Sequence, residues 1–149
     1  MKQIIQNFRS GALKVDEVPS PSLRGSGLLV LNEASLISPG TEKSTVQVAQ
    51  KNLVGKAMDR PDMVKKVLAA VKKDGLRETV NRVFQRLDTP VALGYSCAGT
   101  VVEASRDADH FSAGDRVACA GQNYASHAEV VYVPKNLCVK IPETVDFED

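Results

Sequence analysis

The stretch Leu93-Gly94-Tyr95-Ser96-Cys97-Ala98-Gly99-Thr100-Val101-Val102-Glu103, followed by Ala113-Gly114-Asp115-Arg116-Val117, decides how this chain is read. Small residues punctuate a β-branched run, so residues 91–103 read as one strand interrupted by glycines, and Gly114-Asp115 as a tight turn opening a second strand over 116–120. Upstream, the apolar run Leu28-Leu29-Val30-Leu31 suits a central strand. Residues 2–8 and 13–18 read as an antiparallel pair turning at Ser10-Gly11, and Pro19-Ser20-Pro21 ends the second member because proline cannot donate to a ladder. Downstream, a polar loop holds His110-Phe111, and Cys138 lies in a further apolar, strand-like setting.

Between these β segments the period changes. Val46, Ala49, Leu53 and Ala57 recur at three- and four-residue steps, as do Val64, Val67, Leu68 and Val71, and then Leu76, Val80, Val83 and Leu87. Three helices are expected, at about 43–56, 61–73 and 76–87, with Pro61 in a first turn and Asp74-Gly75 separating the second from the third. Residues 43–88 carry eleven Lys or Arg against five Asp or Glu. The simplest reading of that excess is a solvated helix face; the sharper one is a lid that attracts an anionic substrate.

With 149 residues, 43% of them apolar and 25% charged, the chain has the make-up of one soluble domain or a domain with an insertion. A net charge of +1 gives the whole no preference for nucleic acid or membrane, and the basic segment has one aromatic, Phe84, where a base-stacking surface needs several. No run approaches the roughly 18 apolar residues of a membrane span, and Met1-Lys2-Gln3 opens no signal-peptide core, so the cytoplasm is the expected compartment. Cys97, Cys119 and Cys138 form no C-x-x-C pair, and each sits in an apolar setting where a thiol packs as a small hydrophobe.

Taken together, Gly94 to Glu103 and Gly114 to Val117 resemble the "GHE-x-x-G-x-V…GDRV" core of the medium-chain alcohol dehydrogenase and quinone reductase superfamily, in its N-terminal GroES-like half. The opening is similar to that family's "P-x-P-x-x-G-x-G-E-V-L-V-x-V", with Leu28 where an acid is usual. His127 to Pro134 resemble "G-x-[YF]-A-E-[YF]-x-x-V-P", Leu137 to Pro142 "L-x-x-[IL]-P", and residues 144–149 the segment that leads into the cofactor domain. The resemblance covers residues 1–42 and 90–149. It implies a mainly β, GroES-like partly open barrel over 1–149, with a helical insertion at about 43–88 and a Rossmann cofactor domain expected after residue 149.

The resemblance also says where metal ligands belong. The family's His-Glu pair is here Tyr95-Ser96, and its catalytic cysteine falls at Ser38 or Ile37; these residues lack the donors zinc prefers. The four-cysteine structural lobe is represented by Cys119 alone, so no zinc is expected, and His110 and His127 read as ordinary loop histidines. Gly94 to Gly99 is no P-loop, and Gly25-Ser26-Gly27 enters a strand where a dinucleotide motif opens a helix.

Without a metal, carbonyl reduction needs neutral donors on the carbonyl oxygen and a hydride close by. By the resemblance, Tyr95 is the leading donor. Ser38 and Thr41 are further candidates for the substrate oxygen, and Thr41 also for the nicotinamide; alternatively Tyr95 merely fills the space of the missing ion. The strings "S-x-G-T-E", "R-P-D-x-V…D-G-L…T" and "L-G-Y-S-x-A-G" resemble a subgroup fused to a glucose-fructose-type oxidoreductase module.

The expectation is therefore the substrate-side half of a zinc-independent NAD(P)-dependent oxidoreductase, inactive alone. Its substrate is expected to be a small molecule, anionic or a nucleotide-linked sugar, and a homo-oligomer is left open. A stand-alone binding or assembly module, using the basic helices as partner surface, is the alternative.

Overall fold

The computed structural model describes residues 1–51, 55, 58 and 61–148. It places the run at 28–31 in a strand that others line up against. That strand, β3 (Gly27–Ser35), follows β1 (Lys2–Asn7) and β2 (Leu13–Glu17). The expected strand over 91–103 is two: β4 (Pro90–Ala92) and β5 (Ser96–Ala104), parted at Leu93-Gly94-Tyr95 where Gly94 takes φ +100°. A β-branched run signals strand but not continuity, and only glycine takes this backbone conformation without strain. Then come β6 (Arg116–Ala120), β7 (Val130–Pro134) and, after a 3₁₀ turn at Lys135–Leu137, β8 (Cys138–Lys140).

These strands form a five-stranded sheet in the order β7-β3-β5-β6-β8, antiparallel at each pairing, and a three-stranded sheet in the order β2-β1-β4. Neither closes on itself, which agrees with the partly open β architecture expected. The chain divides into two compact units: Met1–Ile5, Val15–Ser38 and Ala92–Asp149 make the first, Gln6–Lys14 and Pro39–Val91 the second.

In the first unit the pleat sends alternate residues inward. Leu28, Val30, Val101, Val117, Val131 and Val133 are buried, with Cys97 and Cys119 in the same core. The loop after β5 contributes too: Ala108 is buried and Phe111 packs on the core, so the loop read as polar is anchored from inside.

Gly99 faces Asn32 across β3 and β5, beside a register shift between Asn32 and Ala34. A Cβ here would overlap the Leu31 carbonyl oxygen and lie 2.9 Å from Asn32 Cα, so the strands pair at this distance only if the residue is glycine.

The Gly114-Asp115 turn forms as read. Gly114 N–H donates to the Val101 carbonyl at 2.8 Å and Val101 N–H to the Asp115 carbonyl at 2.9 Å. Asp115 Oδ2 accepts from Lys140 Nζ and from Ser112 N–H, both at 2.7 Å, tying the turn to β8. The Lys140 ammonium, then the Ser112 amide, hold this carboxyl below its ordinary range.

In the second unit, α1 (Pro39–Gln50) begins four residues before the expected start at 43, because Pro39 suits the first helical position. The expected continuation to residue 56 runs into positions outside the described residues. Helices α2 (Pro61–Asp74) and α3 (Leu76–Asp88) match expectation to within a residue. The break is Gly75 at φ +85°, whose carbonyl accepts the Thr79 hydroxyl at 2.8 Å, while Arg82 reaches back to Asp74 at 2.9 Å. Lys65, Lys66, Lys72 and Lys73 of α2 are exposed, as a solvated basic face requires.

Gly99→Ala is expected to cost about 3 kcal/mol in urea unfolding, the upper part of the usual penalty for overpacking. Because the Asp115 pKa is depressed in the folded state, its contribution is present above the unfolded aspartate value near about 3.9 and is lost as pH falls through the folded value. Asp115→Asn should therefore lower the melting temperature at pH 7, and the gap from the parent chain should shrink as both are taken to pH ~3.

Candidate functional site

The last residues of β3, the first of β5 and the loop between β6 and β7 meet at one end of the five-stranded sheet. Ser35 lies opposite Cys97, and Leu36 N–H donates to the Ser96 carbonyl at 3.1 Å. The segment that runs on to Ser38 therefore leaves β3 alongside the residues that enter β5. Gly121 N–H donates to the Tyr95 carbonyl at 2.8 Å, which sets the third segment against the same point.

Tyr95 is half-buried, and among the described residues no partner binds its hydroxyl. Ser38 is also half-buried and has a partner of its own. The backbone of Thr41 lies in the first turn of α1 and not in a loop, and its side chain falls outside the described residues. The structure thus brings Tyr95 and the Ser38 segment to one sheet end within the first unit, while Thr41 belongs to the second.

A residue that sequence reasoning passed over is central here. His127, read as an ordinary loop histidine, is 7% exposed. Its Nδ1 is 2.9 Å from Ser35 Oγ, its N–H donates to the Leu93 carbonyl at 2.8 Å, and its carbonyl accepts Ile4 N–H at 2.9 Å. Gly94 makes room for it: a Cβ on Gly94 would stand 2.7 Å from the His127 nitrogen and 3.0 Å from ring Cγ. The neighbouring residues are held as firmly. Gln3 Nε2 donates to Ser126 Oγ at 3.1 Å, and Asn32 Nδ2 donates to the Ser126 and Ala128 carbonyls at 3.2 and 2.7 Å. The signal in the sequence was Gly94, whose positive φ serves this histidine, but nothing local in sequence links positions 94 and 127.

Chemically, this end of the sheet offers hydroxyls and an imidazole already engaged with a serine. Zinc takes thiolate, imidazole or carboxylate ligands, and among the described residues no group of three such side chains is arranged to hold a metal ion. The donor set does not fit a zinc ion; it fits hydrogen bonding to a neutral polar group. Elsewhere in the first unit, a cleft of about 200 Å³ is lined by Gln3, Pro19, Arg24, Tyr124, Ser126 and Tyr132. It is smaller than the roughly 300–1,000 Å³ of small-molecule sites.

The family model described as alcohol dehydrogenase GroES-like domain matches residues 63–143, from within α2 to beyond β8. The highly reducing polyketide synthase GPY1 of Gibberella fujikuroi is 35% identical over 83 residues, 56% of this chain and 3% of that protein. The chain thus spans a few hundredths of the length of the curated relatives it matches. The quinone oxidoreductase of Coxiella burnetii superposes with a TM-score of 0.62 at 19% identity, covering 99% of this chain and 38% of that one. The Escherichia coli quinone oxidoreductase, solved in complex with NADPH, does so with a TM-score of 0.61 at 16% identity, covering 99% and 35%. At these identities the likeness is one of fold. Among the described residues no helix is long and apolar enough to cross a membrane.

Ser35→Ala removes one hydrogen-bond partner of the His127 ring and leaves the backbone pairing of β3 available. It should move the ring nitrogen resonances of His127, leave those of the exposed His110 in place, and cost about 1 kcal/mol of stability.

Proposed function

This chain belongs to the alcohol dehydrogenase GroES-like domain family, and on that premise we propose that it forms the substrate-side half of a longer, zinc-independent NAD(P)-dependent oxidoreductase. The observation that carries the reading is the half-buried Tyr95, its hydroxyl unpartnered among the described residues, at the sheet end shared with the Ser38 segment. By the family resemblance this is where zinc-dependent members place metal ligands.

The nicotinamide, when bound, supplies a hydride. What this chain supplies is the electrophilic side: the Tyr95 hydroxyl donates a hydrogen bond to the carbonyl oxygen as negative charge develops there. Ser38 is assigned to the same oxygen as a second donor, and Thr41 to the cofactor side. The hydrogen-bonded segment 126–128 keeps the neighbouring wall fixed, so little reorganisation accompanies the charge shift. Most of the nucleotide is held by another part of the polypeptide, and this chain alone does not turn over. The NADPH in neighbours of the same fold supports that cofactor class.

The exposed lysines of α2 favour an anionic small molecule, such as a nucleotide-linked sugar, and the fused-subgroup strings favour a glucose-fructose-type module in the same polypeptide. The names of the curated relatives favour a polyketide substrate instead. The same lysines support a second reading, a stand-alone binding module that works through the basic helices.

The test is an assay of a polypeptide that joins this domain to its cofactor-binding half, with NADPH and NADH against carbonyl and quinone acceptors, with and without a chelator. Tyr95→Phe is expected to lower kcat about 10- to 100-fold and leave the KM for the nucleotide unchanged. Activity lost to the chelator, or a kcat indifferent to Tyr95→Phe, would reject the reading.

A further inference from the structure

The three cysteines, far apart in sequence, stand side by side on three neighbouring strands. Cys97 of β5 lies opposite Cys119 of β6, and Cys119 opposite Cys138 of β8. All three are reduced. Cys97 and Cys119 are 4% and 3% exposed, whereas Cys138, on the edge strand, is half-buried. Cys119 Sγ and Cys138 Sγ are 3.6 Å apart, and the Cys138 thiol also reaches the Pro134 carbonyl at 3.4 Å.

Residues directly opposite in an antiparallel pair have Cα atoms about 4.5–5.5 Å apart, inside the roughly 4.4–6.8 Å that a disulfide spans. Closing the sulfurs from 3.6 Å to about 2.05 Å needs only side-chain rotation and a small strand adjustment.

We propose that Cys119 and Cys138 are a peroxide-oxidised pair that closes a reversible cross-strand disulfide and fastens the ends of segment 120–137, which carries Ser126, His127 and β7. Cys138 reacts first, because it is the most accessible of the three. Hydrogen bonding with Cys119 lowers the pKa of both Cys138 and Cys97 and raises that of Cys119, so accessibility decides between the two flanking thiols in favour of Cys138. A thiolate, not a thiol, is the nucleophile.

The Cys138 sulfur attacks one oxygen of hydrogen peroxide, the O–O bond breaks, and water leaves, giving a sulfenic acid. Cys119 Sγ then attacks the Cys138 sulfur; the S–S bond forms, the S–O bond breaks, and hydroxide departs with the Cys119 proton as a second water. The two thiols lose two electrons, and the peroxide is reduced to two waters. A dithiol reductant reverses the step by exchange. Cys97 is the unused thiol, enclosed by the core.

The experiment is peroxide treatment of the folded chain, unfolding in an alkylating reagent, and peptide mapping by mass spectrometry. The expected result is a loss of two of the three alkylatable thiols, a mass lower by about 2 Da, and one linked peptide pair joining Cys119 to Cys138, all reversed by dithiothreitol. Cys97→Ser should give the same link, and hydrogen exchange should slow across 121–128 in the oxidised chain. Three alkylatable thiols after treatment, a link through Cys97, or over-oxidised sulfinic acids in place of a link would overturn the proposal. Because the mapping uses the unsubstituted chain, the outcome stands even if a cysteine variant fails to fold.

Discussion

The close approach of β3 to β5 at Gly99 is the constraint on which the first unit depends. With a side chain there the two strands could not pair across Asn32, and every neighbour is placed through them: β7 hydrogen-bonds to β3, β6 to β5, and β8 to β6. The core follows, since Leu28, Val30 and Val101 point inward only in this register. A one-residue slip would turn all three to the opposite face. The register shift beside Gly99 absorbs the extra residue on β3 and lets Asn32 turn its amide toward the Ser126 and Ala128 carbonyls.

That same pairing builds the candidate site. Strands brought together at Gly99 carry Ser35 and Tyr95 to one end, where Gly94 bends the backbone away from the His127 ring. Two glycines on one stretch thus do different work: one admits a neighbouring backbone, the other an imidazole. The polar contacts around Ser126 to Ala128 join three separate segments, with Gln3 and Asn32 reaching in from β1 and β3, and that is what holds their shape.

Cross-strand register also explains the cysteines. Each alone is a small apolar residue in a core, and the sequence offered no reason to connect positions 97, 119 and 138. Antiparallel pairing with a two-residue side-chain period sets them in a row, the outermost partly open to solvent. Burial protects Cys97, while the edge position makes Cys138 the point of entry.

Strand 116–120, the turn before it, the helix pair broken at Asp74-Gly75 and the open β class were all legible in the sequence, because each rests on local preferences: β-branched alternation, glycine's access to positive φ, and apolar spacing near 3.6 residues. The single strand read over 91–103 failed at Gly94, and α1 begins at Pro39, because the choice between a glycine within a strand and one that ends it is made by what packs against it. The histidine's burial, the meeting of Ser35 with His127 and the cysteine row were decided by tertiary structure alone. They depend on pairing between residues tens of positions apart, and no local propensity carries that information.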